Sequence, residues 1–126
     1  MDVIIVERRA TAIIAAITVA TGAAQIAAPA ALLPLLQAEA SAIAAQLFAT
    51  VGMFMVLFGG AVLHALALQT SLAVVLLWAG LQKIGAAAMV ALAVSRGVFA
   101  PVALLVAAFD FASGLVFFDL RRRSAR

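Results

Sequence analysis

Two ionisable side chains stand out because each lies in the middle of a long apolar run. Lys83 lies within the run 72–94 and Asp110 within the run 98–120. At the centre of a bilayer a charged residue costs roughly 2.5 to 3.5 kcal/mol on insertion scales, so each would need a partner. Buried ionisable groups in membranes also mark paths for ions, protons or ligands, which makes these two residues the first candidates for chemistry.

The spacing of the two residues places them at the same depth in a helical hairpin. The phrase "SRG" separates the two runs, with Lys83 fourteen positions before Gly97 and Asp110 fourteen positions after Arg96. At a rise of about 1.5 Å per residue, both lie about 20 Å from the turn. Their helical faces carry small residues, which favour close packing of membrane helices: Ala79, Gly80, Ala86 and Ala87 beside Lys83, and Ala103, Ala107, Ser113 and Gly114 beside Asp110. We therefore predict an ion pair inside the membrane.

Three roles are open for this pair. It can fix the register of two helices and do nothing else, or it can line a path for an ion, a proton or a ligand. A third role is a Schiff-base lysine with Asp110 as its counter-ion, as in retinal proteins. Four short helices, however, offer little room to enclose such a chromophore.

Gln82, His64 and Ser113 are candidates for a polar relay to the pair. Gln82 faces about 100° away from Lys83 and can bridge to the second helix or to another subunit. His64 lies near the expected membrane interface, where a histidine satisfied by its surroundings is a simpler interpretation than a proton relay. Ser113 shares the face of Asp110. No metal site is expected, since the chain has no cysteine and a single histidine.

The first apolar run carries a mildly polar stripe without any charge. Its members recur along one helical face: Thr11, Thr18, Gly22 and Gln25. Hydroxyl groups bonded to the carbonyls of their own helix are an adequate explanation for such a stripe.

The composition indicates which elements must position these side chains. Of 126 residues, 68% are hydrophobic and 10% are charged, which is more apolar surface than a soluble domain of this size can bury. Apolar runs of about 20 residues cross a hydrocarbon layer of about 30 Å, and inside lipid the backbone must pair within a helix. We predict an all-α membrane protein, a single domain over 1–126, with four transmembrane helices in an up-down-up-down bundle at about 10–28, 42–68, 72–94 and 98–120.

The arginines predict the orientation of this bundle. Basic residues concentrate at the two ends of the chain, and the outer connections carry only Arg96. The positive-inside rule then predicts that both termini are cytoplasmic. The net charge of +3 is therefore no sign of a nucleic-acid partner. A cleavable signal over the first 30 residues is an alternative, but acidic Asp2 and Glu7 and the long apolar run favour a retained helix.

Three phrases of the chain are similar to those of a known group of membrane proteins. They are "ATGAAQIAAPAALLPLL", in which a glycine-bearing first helix ends in a proline, "ATVGMFMVLFGG" and "LLWAGLQKIGAA". They resemble the small four-helix bacterial membrane proteins of the DoxX-like superfamily, and the resemblance covers most of the chain. It implies a four-helix fold in the inner membrane of a bacterium and a loose link to membrane redox complexes, and it implies no catalytic residues.

From these patterns we expect a non-enzymatic protein that acts by helix packing, as an accessory or assembly subunit or as a self-associating bundle. Its expected partners are the lipid bilayer and either further copies or a larger membrane complex, with no cofactor. Two alternatives stay open: a small proton-coupled carrier that uses Lys83 and Asp110, and a bundle that binds a quinone or another lipophilic ligand. An enzyme is not expected, because no nucleophile or acid-base cluster is visible.

Overall fold

The computed structural model describes residues 2–126, so Met1 of the predicted domain lies outside the described residues. Over this range the chain is helical, without a β-strand. Four of its helices are long and apolar enough to cross a membrane, which confirms the predicted all-α class with four helices of spanning length and indicates a multi-pass membrane protein. The long helices are α1 (Val3–Ala27), α2 (Ala42–Leu68), α3 (Leu72–Ser95) and α4 (Ala103–Ser124).

Polar side chains cap the first two long helices. The carboxylate of Asp2 accepts a hydrogen bond from the backbone N–H of Ile4, and the hydroxyl of Ser41 accepts one from that of Ala44. These contacts satisfy N–H groups that have no partner inside a helix. Because Asp2 caps α1, the helix begins at Val3 and not near residue 10 as predicted, and it extends beyond the apolar run to include the charged residues 7–9.

The last helix also differs from its predicted range. It begins at Ala103, whereas the sequence pattern predicted a start near residue 98, and it ends at Ser124. Residues 98–102 form turns that lead into the helix, and Pro101, which has no N–H, lies in them. The charged end of α4 stays helical past the predicted residue 120, while α2 and α3 have the predicted bounds to within one residue.

The contacts at the ends of the helices define two ends of the bundle. The guanidinium of Arg123, near the end of α4, pairs with Glu7 near the start of α1, and the guanidinium of Arg8 donates to the carbonyl of Leu66 near the end of α2. We call this the terminal end. The other end, which we call the connection end, carries residues 28–41 and 96–102, and there the N–H of Ala100 donates to the carbonyl of Leu36 at 2.9 Å.

The connection from α1 to α2 is partly ordered into short helical pieces. A single helical turn, Pro29–Leu32, is followed by a 3₁₀ turn, Leu33–Leu36. The chain then reverses at Gln37, which has a positive φ of 54°. Residues 28–41 therefore form a partly helical connection at the connection end of the bundle.

Small residues bring the helices together as two close pairs, α1 with α2 and α3 with α4. Gly22 of α1 faces Gly52 of α2 so closely that a Cβ built on Gly52 would lie 2.6 Å from the carbonyl oxygen of Gly22. In the other pair, a Cβ on Gly114 would lie 2.7 Å from the side chain of Ile84 and 3.2 Å from the carbonyl of Gly80. Such approach of backbone to backbone is the usual basis of helix association in lipid, where apolar burial offers little advantage.

The two pairs meet mainly in the terminal half of the bundle. A cluster of buried apolar side chains from all four long helices fills this half: Ala15, Val62, Leu76, Ala79, Phe117 and Leu120. Towards the connection end, α1 and α2 separate from α3 and α4 and leave a cleft, which is described below. The fold is therefore two tight helix pairs that are packed together in one half and apart in the other.

The glycine contact between α1 and α2 gives a test with a control on the same helix. Gly52→Ala places a methyl group against the Gly22 backbone, so we expect it to lower the unfolding free energy by about 1–3 kcal/mol. A Cβ on Gly60 would have no atom within 4 Å. Gly60→Ala should therefore leave stability unchanged or slightly raised. Unfolding free energies from titration of mild detergent with sodium dodecyl sulfate measure both, and equal effects of the two substitutions would contradict the close α1–α2 contact.

Candidate functional site

The structure brings Lys83 and Asp110 together at the middle of α3 and α4. The ammonium Nζ of Lys83 donates to Oδ1 of Asp110 at 2.9 Å. Both residues are buried, with 3% and 8% of their surface exposed. The small residues that surround them, Gly80 on α3 and Gly114 on α4, let the two helices approach closely enough for this short contact.

Thr18 of α1 is a second partner of the ammonium and joins the two helix pairs. Nζ of Lys83 donates to Oγ1 of Thr18 at 2.7 Å, and that hydroxyl donates in turn to the carbonyl of Ile14 at 2.9 Å. The ammonium also lies 5.3 Å from the centre of the Phe109 ring, within the range of a cation–π contact. Two of the three ammonium hydrogens therefore have oxygen partners, and the charge is shared between α1, α3 and α4.

The three residues predicted as a polar relay do not form one. Ser113 is buried, but its hydroxyl donates to the carbonyl of Phe109 at 2.6 Å and so is used within its own helix. His64 is exposed on α2. Gln82 is half-buried next to the ion pair. Across residues 2–126 no hydrogen bond links these three side chains to one another or to the pair. Ser113 shares the face of Asp110 but bonds to its own helix, Gln82 faces away from Lys83, and His64 lies at a different depth.

The cleft between the helix pairs has the ion pair at its deep end. Its volume is about 640 Å³, and Thr18, Lys83 and Asp110 line it together with Gln82. Apolar side chains supply most of the remaining wall: Ile17, Leu32, Leu35, Leu36, Phe48, Val51, Met55, Ala86, Met89, Val90, Phe99, Ala103, Leu105, Val106 and Phe109. Several of these side chains face outward, including that of Leu105, which has 72% of its surface exposed. The cleft is therefore an apolar space open to the surroundings of the bundle, with a few polar groups inside.

Gln25 of α1 supplies a further polar group to the cleft. The residue is 9% exposed, lines the cleft, and has an amide oxygen Oε1 that is buried without a hydrogen-bond partner among residues 2–126. Gln25 follows Thr18 by seven positions, so it lies about 10 Å further along α1 towards the connection end. A buried polar atom without a partner costs roughly 1–3 kcal/mol, and a site that tolerates this cost is a candidate for recognition of a ligand.

The stripe of polar residues on α1 is therefore only partly explained by bonds to its own helix. Thr18 does bond to a backbone carbonyl one turn earlier, but it also accepts from Lys83. Thr11 is fully buried, and its hydroxyl has no partner in the described part of the chain. This stripe was the signal in the sequence that could have identified Thr18 and Gln25 as site residues.

A network of charged side chains connects the first and last helices at the terminal end, next to the apolar cluster. Nε of Arg123 donates to Oε1 of Glu7 at 3.1 Å and to Oδ2 of Asp119 at 3.0 Å, and Arg122 pairs with the other oxygen of Asp119 at 2.6 Å. The contact of Arg123 with Glu7 joins α1 to α4. The helix pairs are thus held by ions at the terminal end, by apolar contacts above them, and by Lys83 and Thr18 at the middle.

The chemistry available to the cleft is binding through hydrogen bonds and apolar contact. Its one cation and one anion neutralise each other, and the described residues hold no group of three or more histidines or acidic side chains that could bind a metal ion. Comparisons with known proteins give no match to a family model, a curated protein or a solved structure. The resemblance to the DoxX-like superfamily stays a prediction.

The ion pair predicts a particular pattern of stability. Asp110→Leu leaves the Lys83 ammonium buried without its anion, so we expect it to lower the unfolding free energy by about 3–5 kcal/mol. The double variant Lys83→Met, Asp110→Leu removes both charges at similar volume and should return close to the wild-type value. Detergent titration measures all three proteins. A double variant as unstable as the single one would show that the pair is not held together by charge compensation.

The Thr18 contact predicts a difference between two threonines that share one local geometry. Thr18 and Thr50 each donate to the carbonyl four residues earlier, at 2.9 and 3.0 Å, but only Thr18 receives the ammonium. Thr18→Val should therefore cost about 1–3 kcal/mol of unfolding free energy, since Lys83 loses an acceptor. Thr50→Val should change it little. The same detergent titration compares them, and equal losses would argue against Thr18 as a link between the helix pairs.

Proposed function

We propose that this chain is an integral membrane protein that binds a lipophilic small molecule in the cleft between its helix pairs. The observation that carries this proposal is a cleft of about 640 Å³ with apolar walls and a buried ion pair at its deep end. Ligand sites in proteins typically measure about 300–1,000 Å³ and combine apolar walls with a few placed polar groups. The cleft has both properties.

The position of the cleft supports a ligand that enters from the lipid. Its outward walls come from α1, α3 and α4, where exposed apolar side chains such as Ile17, Met89 and Leu105 would contact acyl chains. A molecule dissolved in the bilayer reaches these walls without crossing water. The apolar cluster of the terminal half closes the other end, which favours a binding site over an open pore.

The charges at the terminal end support an orientation in a bacterial inner membrane. Arg8, Arg9 and the arginines after residue 120 lie at that end, while Arg96 alone lies at the connection end. By the positive-inside rule the terminal end is cytoplasmic, and the cleft then opens in the outer half of the bilayer. The ligand is accordingly a component of the outer leaflet or one delivered to it.

The proposal differs from the role expected first from the sequence, an accessory subunit that acts by packing. Small residues of the kind that motivated that role are used within the chain, where Gly22, Gly52 and Gly114 let the two helices of each pair approach closely. A proton-coupled carrier would require the terminal half to open, and the apolar cluster and the Arg123 network oppose this. Both roles stay predictions, and ligand binding is the function that the geometry of the cleft supports best.

Filling the cleft gives a direct test with a matched control. Ala86 on α3 lines the cleft, whereas Ala88, two positions later on the same helix, is exposed and does not line it. We expect a lipophilic compound in organic extracts of protein purified in mild detergent, detected by mass spectrometry at close to one molecule per chain. Ala86→Phe should abolish this compound because its ring occupies the cleft, and Ala88→Phe should retain it. The same extract profile from the wild-type protein and Ala86→Phe would refute ligand binding in the cleft.

A further inference from the structure

We propose that the ligand of the cleft is an uncharged lipid whose head carries both a hydroxyl donor and an oxygen acceptor, as in an acylglycerol. This inference rests on the proposed function and specifies its ligand. The polar groups in the cleft, their charges and their separation along α1 lead to it.

The charge of the cleft selects against an ion. Lys83 and Asp110 are the charged residues that line the cleft, and they compensate each other at 2.9 Å. An anionic head would compete with Asp110 for the ammonium, and a cationic head would compete with Lys83 for the carboxylate. Either one would leave a net charge in a low-dielectric site, where an uncompensated charge is costly. A neutral head leaves the pair intact.

The unused hydrogen-bonding groups define the head further. Lys83 has one ammonium hydrogen beyond those given to Thr18 and Asp110, so the deep end of the cleft can donate to an ester or ether oxygen. The buried Oε1 of Gln25 is an acceptor without a partner among the described residues, so the region nearer the connection end, which Thr21 also lines, can take a donor. A hydroxyl is a neutral lipid group that supplies one.

The separation of the two groups suits a glycerol head. Lys83 contacts α1 at Thr18. The Cα atom of Gln25 lies two helical turns beyond that of Thr18, about 10 Å along the helix axis. Two hydrogen bonds and a glycerol ester between them span such a separation, whereas one polar atom on a hydrocarbon chain cannot reach both groups. The apolar wall formed by residues such as Ile17 and Leu105 is left for the acyl chain.

The test uses four probes with the same eighteen-carbon chain and different heads. Monoolein is neutral with hydroxyl donors, methyl oleate is neutral without a donor, oleate is anionic and oleylamine is cationic. Each is titrated into the detergent-solubilised protein, and occupancy is measured by native mass spectrometry. We expect monoolein to bind most tightly. Loss of the hydrogen bond to Gln25 should weaken methyl oleate by about tenfold relative to monoolein.

A variant of Gln25 identifies the source of this preference. Gln25→Met keeps the length of the side chain and removes the acceptor, so monoolein should lose its advantage while methyl oleate binds as it does to the wild type. Retained binding of methyl oleate also shows that the variant is folded. Gln46→Met, on an exposed face of α2, serves as the control and should keep the wild-type preference.

Each alternative result has a separate meaning. Tighter binding of oleate or oleylamine than of monoolein would overturn the uncharged head, and equal binding of methyl oleate and monoolein to the wild type would overturn the hydroxyl donor. An equal loss of all four probes in Gln25→Met would overturn the assignment of Gln25. In these cases the proposed function survives if Ala86→Phe still blocks the probes and Ala88→Phe does not. If Ala86→Phe blocks none of them, the proposed function itself fails.

Discussion

The arrangement of this bundle depends on one buried ammonium that must be compensated. A lysine at the middle of a membrane-spanning helix is tolerated only with an anion and further oxygen acceptors around it. Here Asp110 supplies the anion from α4 and Thr18 supplies a hydroxyl from α1. Satisfying this one group therefore fixes the depth of α3 against α4 and brings a helix of the other pair to the same level. The function proposed above uses the same atoms, because they form the deep end of the cleft.

The cleft follows from how unevenly the small residues are distributed. Glycines lie within each helix pair, where Gly22 meets Gly52 and Gly80 meets Gly114, so that backbone approaches backbone. Between the pairs, larger side chains such as Phe48, Met55 and Phe99 line the space towards the connection end. In the terminal half, Phe117 and its neighbours fill the corresponding volume. The helices therefore pack closely within each pair, whereas large side chains lie between the pairs. The terminal half of the bundle is filled, and the half towards the connection end contains the cleft.

The sequence was sufficient for the features that depend on local pattern or on a short hairpin. Four apolar runs predicted four helices, and equal distances from one turn brought Lys83 level with Asp110. The early start of α1 was missed because hydropathy marks where lipid begins, whereas the Asp2 cap decides where the helix begins. Thr18 and the cleft were missed because they depend on how one helix pair meets the other. That packing joins residues 65 positions apart, and no single run of the sequence encodes it.

The contacts between helices at the terminal end limit how this protein can change shape. Arg123 connects the first and last helices there through Glu7, and the apolar cluster lies directly above this contact. At the opposite end, one backbone hydrogen bond from Ala100 to Leu36 connects the two loops. A motion that widens the cleft for a bulky ligand is therefore expected to separate the helix pairs at the connection end and to hinge at the terminal end. With the proposed function and orientation, a ligand would leave the cleft towards the same leaflet from which it entered.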